Sequence, residues 1–277
     1  MIFDERPCGL GEGPLWHPTR QELFWFDINA RKLHSKAQTW DFDLSVSAAG
    51  WIDESTLLIA SEIGLHRFDI TNGALSDPIV HIETDNPITR SNDGRVDPWG
   101  GFWIGTMGFN AEPNAGAIYR FYKGELRVIA TDITIPNAIC FAVDATFANY
   151  TDTVTKQIMR VTLDPETGWP DAEAKVWLDL NEANVNPDGA VIDANGTLWV
   201  ALWGSFCVNG YAPDGTLVAS HEVSGRHTTC PAFGGSELSD MYVTSATDGI
   251  RGDLGDNGKT FILHGIGKGQ KEHQVIL

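Results

Sequence analysis

Short apolar or alternating runs, separated by turns rich in Gly, Asp and Asn, recur along the whole chain, and helical periodicity is almost absent. Typical runs are Glu22–Asp27, Thr56–Ser61, Gly101–Thr106, Thr197–Leu202 and Asp240–Ser245. Several are followed by a second strand-like run, as at Gly64–Asp69, Ala117–Phe121 and Gln157–Val161, and then by a polar turn such as Asp164–Gly168 or Pro213–Thr216. This pattern predicts a meander of short antiparallel strands. The ends of the Phe-, Trp- and Leu-rich runs, at Asp27, Ser61, Gly105, Thr151, Leu202 and Ser245, recur about every 44 residues, which is the period of a β-propeller blade. The expectation is an all-β, six-bladed β-propeller with four-stranded antiparallel blades around a central channel, one domain over residues 1–277. A pair of β-sandwiches is the alternative, but it leaves the repeat unexplained. The N-terminal Ile2–Asp4 and the C-terminal His273–Leu277 are the candidates to close the ring. The fourth unit, through Phe141–Tyr150, is the least regular.

Composition narrows the function classes. The chain is 42% hydrophobic and 20% charged, enough apolar sequence for a core and too much for disorder. Its 19 basic and 37 acidic residues give a net charge of −18, spread along the chain. Such a surface repels phosphate backbones and anionic lipids, so neither nucleic acid nor a membrane is the expected partner. No apolar stretch is long enough to span a bilayer, and the start lacks a basic region followed by an apolar run, so the expected location is the cytoplasm. Cys8, Cys140, Cys207 and Cys230 form no C-x-x-C pair and read as reduced, buried thiols.

About 14 residues before four of the strand ends stand side-chain oxygen donors: Glu12, Asn92, Asn137 and Asp188. Equal phase in a propeller means equal height and equal distance from the axis, so these four should meet at one mouth of the channel. The same offset in the second and sixth units falls near Ser47 and Pro231, which carry no charge. Each donor is flanked by Pro or Gly, in Gly11-Glu12-Gly13-Pro14, Asn92-Asp93-Gly94, Pro136-Asn137 and Pro187-Asp188-Gly189. One such motif is an ordinary turn former. Four in phase are better explained by a site. Carboxylates and amide oxygens without His or Cys make a hard-oxygen set, suited to a divalent cation such as Ca²⁺, Mg²⁺ or Mn²⁺.

These motifs resemble the SMP-30/gluconolactonase/regucalcin-like family, in its bacterial sugar lactonase branch. The resemblance rests on Gly11–Trp16, Arg90–Gly100, Gly105–Gly108, Ile135–Ala138, Pro187–Gly204 and Cys230–Gly235, and covers essentially the whole chain. It implies one divalent metal ion, calcium first and magnesium, manganese or zinc as alternatives, held by Glu12, Asn137 and Asp188. It implies Arg90 and Asn92 as holders of substrate hydroxyls and Asp188 as general base. Some relatives place a substrate-touching acid after Gly-Thr-Met; here Asn110 stands near that point, with Glu112 two residues on.

The implied reaction is hydrolysis of a small sugar (aldono-) lactone to its aldonic acid in bacterial sugar oxidation. The ion would polarise the carbonyl, and the attacking water would be deprotonated by Asp188 or lie on the ion itself. No nucleophile elbow is present, which argues against a covalent serine route. Two alternatives use the same site: hydrolysis of an aryl ester or phosphotriester, or calcium binding without catalysis. The oligomeric state and the particular sugar are not legible. His17 and His66 read as structural, Asp152 as structural or as backing for the metal ligands, and Trp203 as the tryptophan best placed to stack on a sugar.

Overall fold

A computed structural model describes residues 1–277 and folds them into six four-stranded antiparallel sheets arranged in a ring. The innermost strands are Gly11–His17, Val46–Trp51, Thr89–Val96, Pro136–Phe141, Asn186–Ile192 and His227–Gly234, and each touches the next around the closed circle. Strands two to four of each blade follow outward in chain order, except in the sixth. There His227–Gly234, Asp240–Ala246 and Thr260–Leu263 are completed by the N-terminal strand Ile2–Asp4, which supplies the outer edge.

Half of the expected ring closure is therefore correct, and the other half is not. The C-terminal residues form no strand, because they make single bonds to the lower ends of innermost strands and to nearby turns instead of a ladder along a blade edge. From Lys268 onward they cross the lower face of the ring, the end away from Glu12. Ala194 N–H donates to Lys268 O, Gly269 N–H to Leu238 O, Val275 N–H to Trp51 O and Ile276 N–H to Gly100 O. The Gln270 amide reaches Phe141 O and Ile192 O. One strap thus ties blades six, five, four, three and two together. The fourth blade is also more regular than its sequence suggests: Phe147–Asp152 pairs fully with Gln157–Thr162 despite its small and polar residues.

The apolar residues collect in six clusters, one in each seam between neighbouring blades. This explains the alternation along the strands, since both faces of every blade pack against another blade. Trp25 and Trp103 are fully buried there, and all four cysteines are buried free thiols. Acids in the turns that open second strands are tightly bonded. Asp97 accepts from Trp99 N, Gly101 N and Trp103 Nε1 and pairs with Arg120 at 2.5 Å, while Asp193 accepts from Asn195 N, Thr197 N and Trp199 Nε1. The one helical element is the single turn Thr153–Thr155, and no helix is long and apolar enough to cross a membrane.

Candidate metal and substrate site

Every innermost strand carries a bulge of one extra residue at the corresponding stage of its course. The bulges lie between Glu12 and Leu15, Val46 and Ala48, Ser91 and Gly94, Asn137 and Cys140, Pro187 and Ala190, and Thr228 and Pro231. A bulge breaks the ladder and re-aims a side chain, here toward the channel. It also accounts for the flanking glycines. Gly13 has φ +53°, and a Cβ on it would lie 2.3 Å from Ser47 O; a Cβ on Gly189 would lie 2.3 Å from Cys230 Sγ. In the fourth blade the equivalent left-handed position is held by Ala138, at φ +56°.

In the sixth blade the bulge exposes Thr229 to the ring, not Pro231. Both paired strands there run one residue further from the bulge to the turn than in the fifth blade, which shifts the phase by two. The side without charge is nevertheless as expected. Ser47 Oγ donates to Ser91 Oγ at 2.8 Å, and Thr229 Oγ1 to Gly11 O at 2.5 Å, so both hydroxyls are engaged within the ring.

The six residues predicted for the site, Glu12, Arg90, Asn92, Asn110, Asn137 and Asp188, line one cavity of about 570 Å³ at the upper mouth. Leu10, Met107, Phe109, Ile135, Val154 and Trp203 make its apolar wall. A relay of hydrogen bonds links the polar residues across three blades. Arg90 Nη1 donates to Asn92 Oδ1 at 2.8 Å, Asn92 Nδ2 to Asn137 Oδ1 at 3.1 Å and to Pro136 O at 2.9 Å, Asn137 Nδ2 to Thr153 Oγ1 at 2.9 Å, and Thr153 Oγ1 to Pro187 O at 2.8 Å. With its Nδ2 committed to Thr153, the side chain of Asn137 is fixed, and its carbonyl oxygen lies next to Asn92.

Glu12 and Asp188 are both buried and lie within hydrogen-bonding reach of each other. Burial, followed by the neighbouring Asp93 carboxylate, pushes Glu12 far above the ordinary carboxylate range. Burial, followed by Glu12, does the same to Asp188. Arg90 is 6% exposed and forms no ion pair; burial lowers it to about 10, so it stays charged at neutral pH. Two facing buried carboxylates, a fixed amide oxygen and no cation between them fit a divalent cation, which would offset the charge that burial penalises. No group of three His, Cys, Asp or Glu side chains that could hold a metal occurs in the structure, and a neutral oxygen donor lining the same cavity as the two carboxylates is the Asn137 amide.

Other residues take clearer roles than the sequence offered. Asp152 accepts from Thr134 N, Ile135 N and Val154 N, and so fixes the loop that carries Asn137. His17 and His66 are buried and bonded to Asp53 O and Ser76 O, away from the mouth. Trp203 stacks on His227 with centroids 4.3 Å apart, so one of its faces is already taken by protein. Asn110 lines the cavity, but its amide donates to Glu112 Oε1 at 2.9 Å. Thr153, Asn186 and Asp248 also line the mouth and escaped the sequence reading. Thr153 and Asp248 stand in turns just past a strand end, where no periodic phase marks them.

Comparison with known proteins places these residues in context. A family model described as the SMP-30/Gluconolactonase/LRE-like region matches residues 10–247. The crystal structure of a calcium-binding protein, regucalcin, from Agrobacterium tumefaciens superposes with a TM-score of 0.97 at 40% identity, covering 100% of this chain and 97% of that one. A Rhizobium meliloti protein provisionally named a sugar lactone lactonase is 39% identical over 94% of this chain and 92% of its own length. The 6-deoxy-6-sulfogluconolactonase of Pseudomonas putida is 30% identical over 88% and 85%.

Proposed function

The chain belongs to that SMP-30/gluconolactonase/LRE-like family, and from this premise and the geometry of the mouth we propose that it is a divalent-metal-dependent hydrolase that opens a sugar lactone to the aldonic acid. The observation that carries the reading is the buried pair Glu12 and Asp188 beside the unpaired Arg90, at the floor of a sugar-sized cavity. Glu12, Asp188 and the Asn137 amide oxygen would hold the ion, with calcium the first candidate on the likeness to the Agrobacterium protein. When bound, the ion would polarise the lactone carbonyl and offset the charge that develops on its oxygen.

The chain's own residues do the rest. An Asp188 carboxylate oxygen takes a proton from the attacking water as the new C–O bond forms, and returns it to the ring oxygen as the ring C–O bond breaks. Arg90 has only its Nη1 engaged within the protein, so its remaining N–H groups are free to donate to sugar hydroxyls and to the carboxylate produced. The relay through Asn92, Asn137 and Thr153 orients these groups toward the cavity before substrate arrives. The Pseudomonas relative is named for a sulfonated sugar, yet Arg90 is the one Lys or Arg lining this cavity, which supports an uncharged lactone. The cytoplasm remains the proposed location.

Two other uses of the site have an observation behind each. Calcium binding without catalysis is favoured by the Agrobacterium likeness. An aryl ester or phosphotriester is favoured by the apolar wall of Met107, Phe109, Ile135 and Val154. The deciding measurement is proton release from a panel of pentono- and hexonolactones, above spontaneous opening, by metal-stripped protein with single divalent ions restored. The expected outcome is an ion-dependent rate that falls about a thousandfold in Asp188→Ala. An ion that binds by calorimetry while no lactone, aryl ester or phosphotriester is accelerated would establish the calcium-binding reading instead.

A further inference from the structure

Asp248 sits at the rim of the cavity, two residues beyond the second strand of the sixth blade. Its backbone is pinned. Asp248 N–H donates to Gly9 O at 3.1 Å, Thr247 N–H to Cys8 O at 3.1 Å, and Ala246 bridges Leu10, so this turn is fastened to the segment that leads into the Glu12 strand. The side chain is exposed, and it forms neither a salt bridge nor a hydrogen bond within the protein. It therefore presents a fixed negative charge to whatever enters or leaves.

The charges of the loaded cavity then divide simply. Among the charged residues that line it, Glu12 and Asp188 would offset a divalent ion, which leaves buried Arg90 and exposed Asp248 as the remaining pair. Arg90 alone, desolvated and unpaired, would grip a carboxylate. Hydrolysis turns an uncharged lactone into a carboxylate, so such a grip would retain the product. Asp248 opposes it, in the same sense as the net charge of −18.

We infer that Asp248 is a specificity-determining residue: it makes this mouth favour uncharged lactones over those bearing an acidic group, and it hastens release of the aldonate product. The inference rests on the hydrolase reading of the site. Arg226, close enough to His227 to influence its charge, does not line the cavity and is not part of the filter.

The test compares wild type with Asp248→Asn, both with a divalent ion restored, by calorimetric binding of gluconate and of its uncharged isostere gluconamide. Two unit charges across such a rim imply that the variant binds gluconate about fivefold more tightly, with gluconamide unchanged. Because the carboxylate is exposed, raising the salt should erase most of the difference, which loss of a packing role would not do. In hydrolysis, kcat/KM for anionic glucarolactone relative to neutral gulonolactone should rise by a similar factor, and Asp248→Lys should raise it further. Gluconate affinity that ignores Asp248→Asn, or an equal change for gluconamide, would overturn the inference. If neither protein opens any lactone the hydrolase reading falls, while the gluconate and gluconamide comparison still decides the charge filter.

Discussion

At the lower end of the channel Glu272 of the C-terminal strap meets Arg95 at 2.5 Å, both side chains about one-tenth exposed, whereas at the upper end Glu12 and Asp188 meet each other. The innermost strands that end below began above, so the two clusters share one scaffold. Below, the chain supplies its own cation, and the cavities beside Arg95 and Glu272 are only about 20 Å³ and 10 Å³. Above, it supplies none between the acids and leaves about 570 Å³ open. Burial by itself therefore says little about function, since Asp97 and Asp193 are as deeply buried and fully bonded. The informative quantity is how the charges are paired after burial: Arg95 and Glu272 pair with each other, whereas Glu12, Asp188 and Arg90 form no ion pair and face an open cavity.

The comparison breaks most sharply at the lower end. Glu272→Gln strands the Arg95 guanidinium without its partner, and losing one member of a buried pair costs about 3–5 kcal/mol. In thermal unfolding this should lower the midpoint by roughly 10 °C. The stabilisation gained on adding the divalent ion should stay at its wild-type size, because Glu272 belongs to the other end. A variant that lost both would mean that the two ends form one electrostatic unit.

The upper end should respond with the opposite sign. Glu12→Gln removes a like-charge repulsion, so without metal it should be as stable as wild type or about 1 kcal/mol more stable. It should lose the ion-dependent stabilisation, about 2.7 kcal/mol for wild type at a hundredfold excess of ion over Kd. The check is the same thermal scan with and without each ion. Equal destabilisation of the metal-free Glu12→Gln and Glu272→Gln proteins would erase the distinction between the ends.

The upper end was largely legible in the sequence and the lower end was not, for physical reasons. Glu12, Asn92, Asn137 and Asp188 sit at a bulge that every innermost strand repeats, so counting back from the strand end finds them. The count failed in the sixth blade, where longer strands moved the bulge to Thr229. The strap left no signal because it bonds through isolated contacts to five blades and has no alternating pattern; His273–Leu277 looked like a strand only by its position at the chain end. Asp248 and Thr153 belong to turns, and no periodicity fixes a turn residue relative to the axis. Glu272 and Arg95 are charged residues in sequence, and only the fold turns them into a buried pair.

The smallest effect expected tests how the upper end is held together. Thr153 is the last side chain of the relay: it accepts from Asn137 Nδ2 and donates to Pro187 O, one residue before Asp188. Thr153→Val keeps the branched shape and removes the hydroxyl. The Asn137 amide is then free to turn, and Pro187 O loses a donor in the strand that presents Asp188. Neither change touches an apolar cluster between blades, so unfolding without metal should shift by only about 1 kcal/mol. Ion affinity should fall by about tenfold, the lower range for losing a group that orients a ligand, as measured by calorimetry. Thr153→Ser restores the hydroxyl and should recover most of that loss. If Thr153→Val bound the ion as wild type does while Glu12→Gln did not, the carboxylates alone would define the upper end, and the three-blade relay would serve only to orient Arg90 and Asn92 toward the sugar.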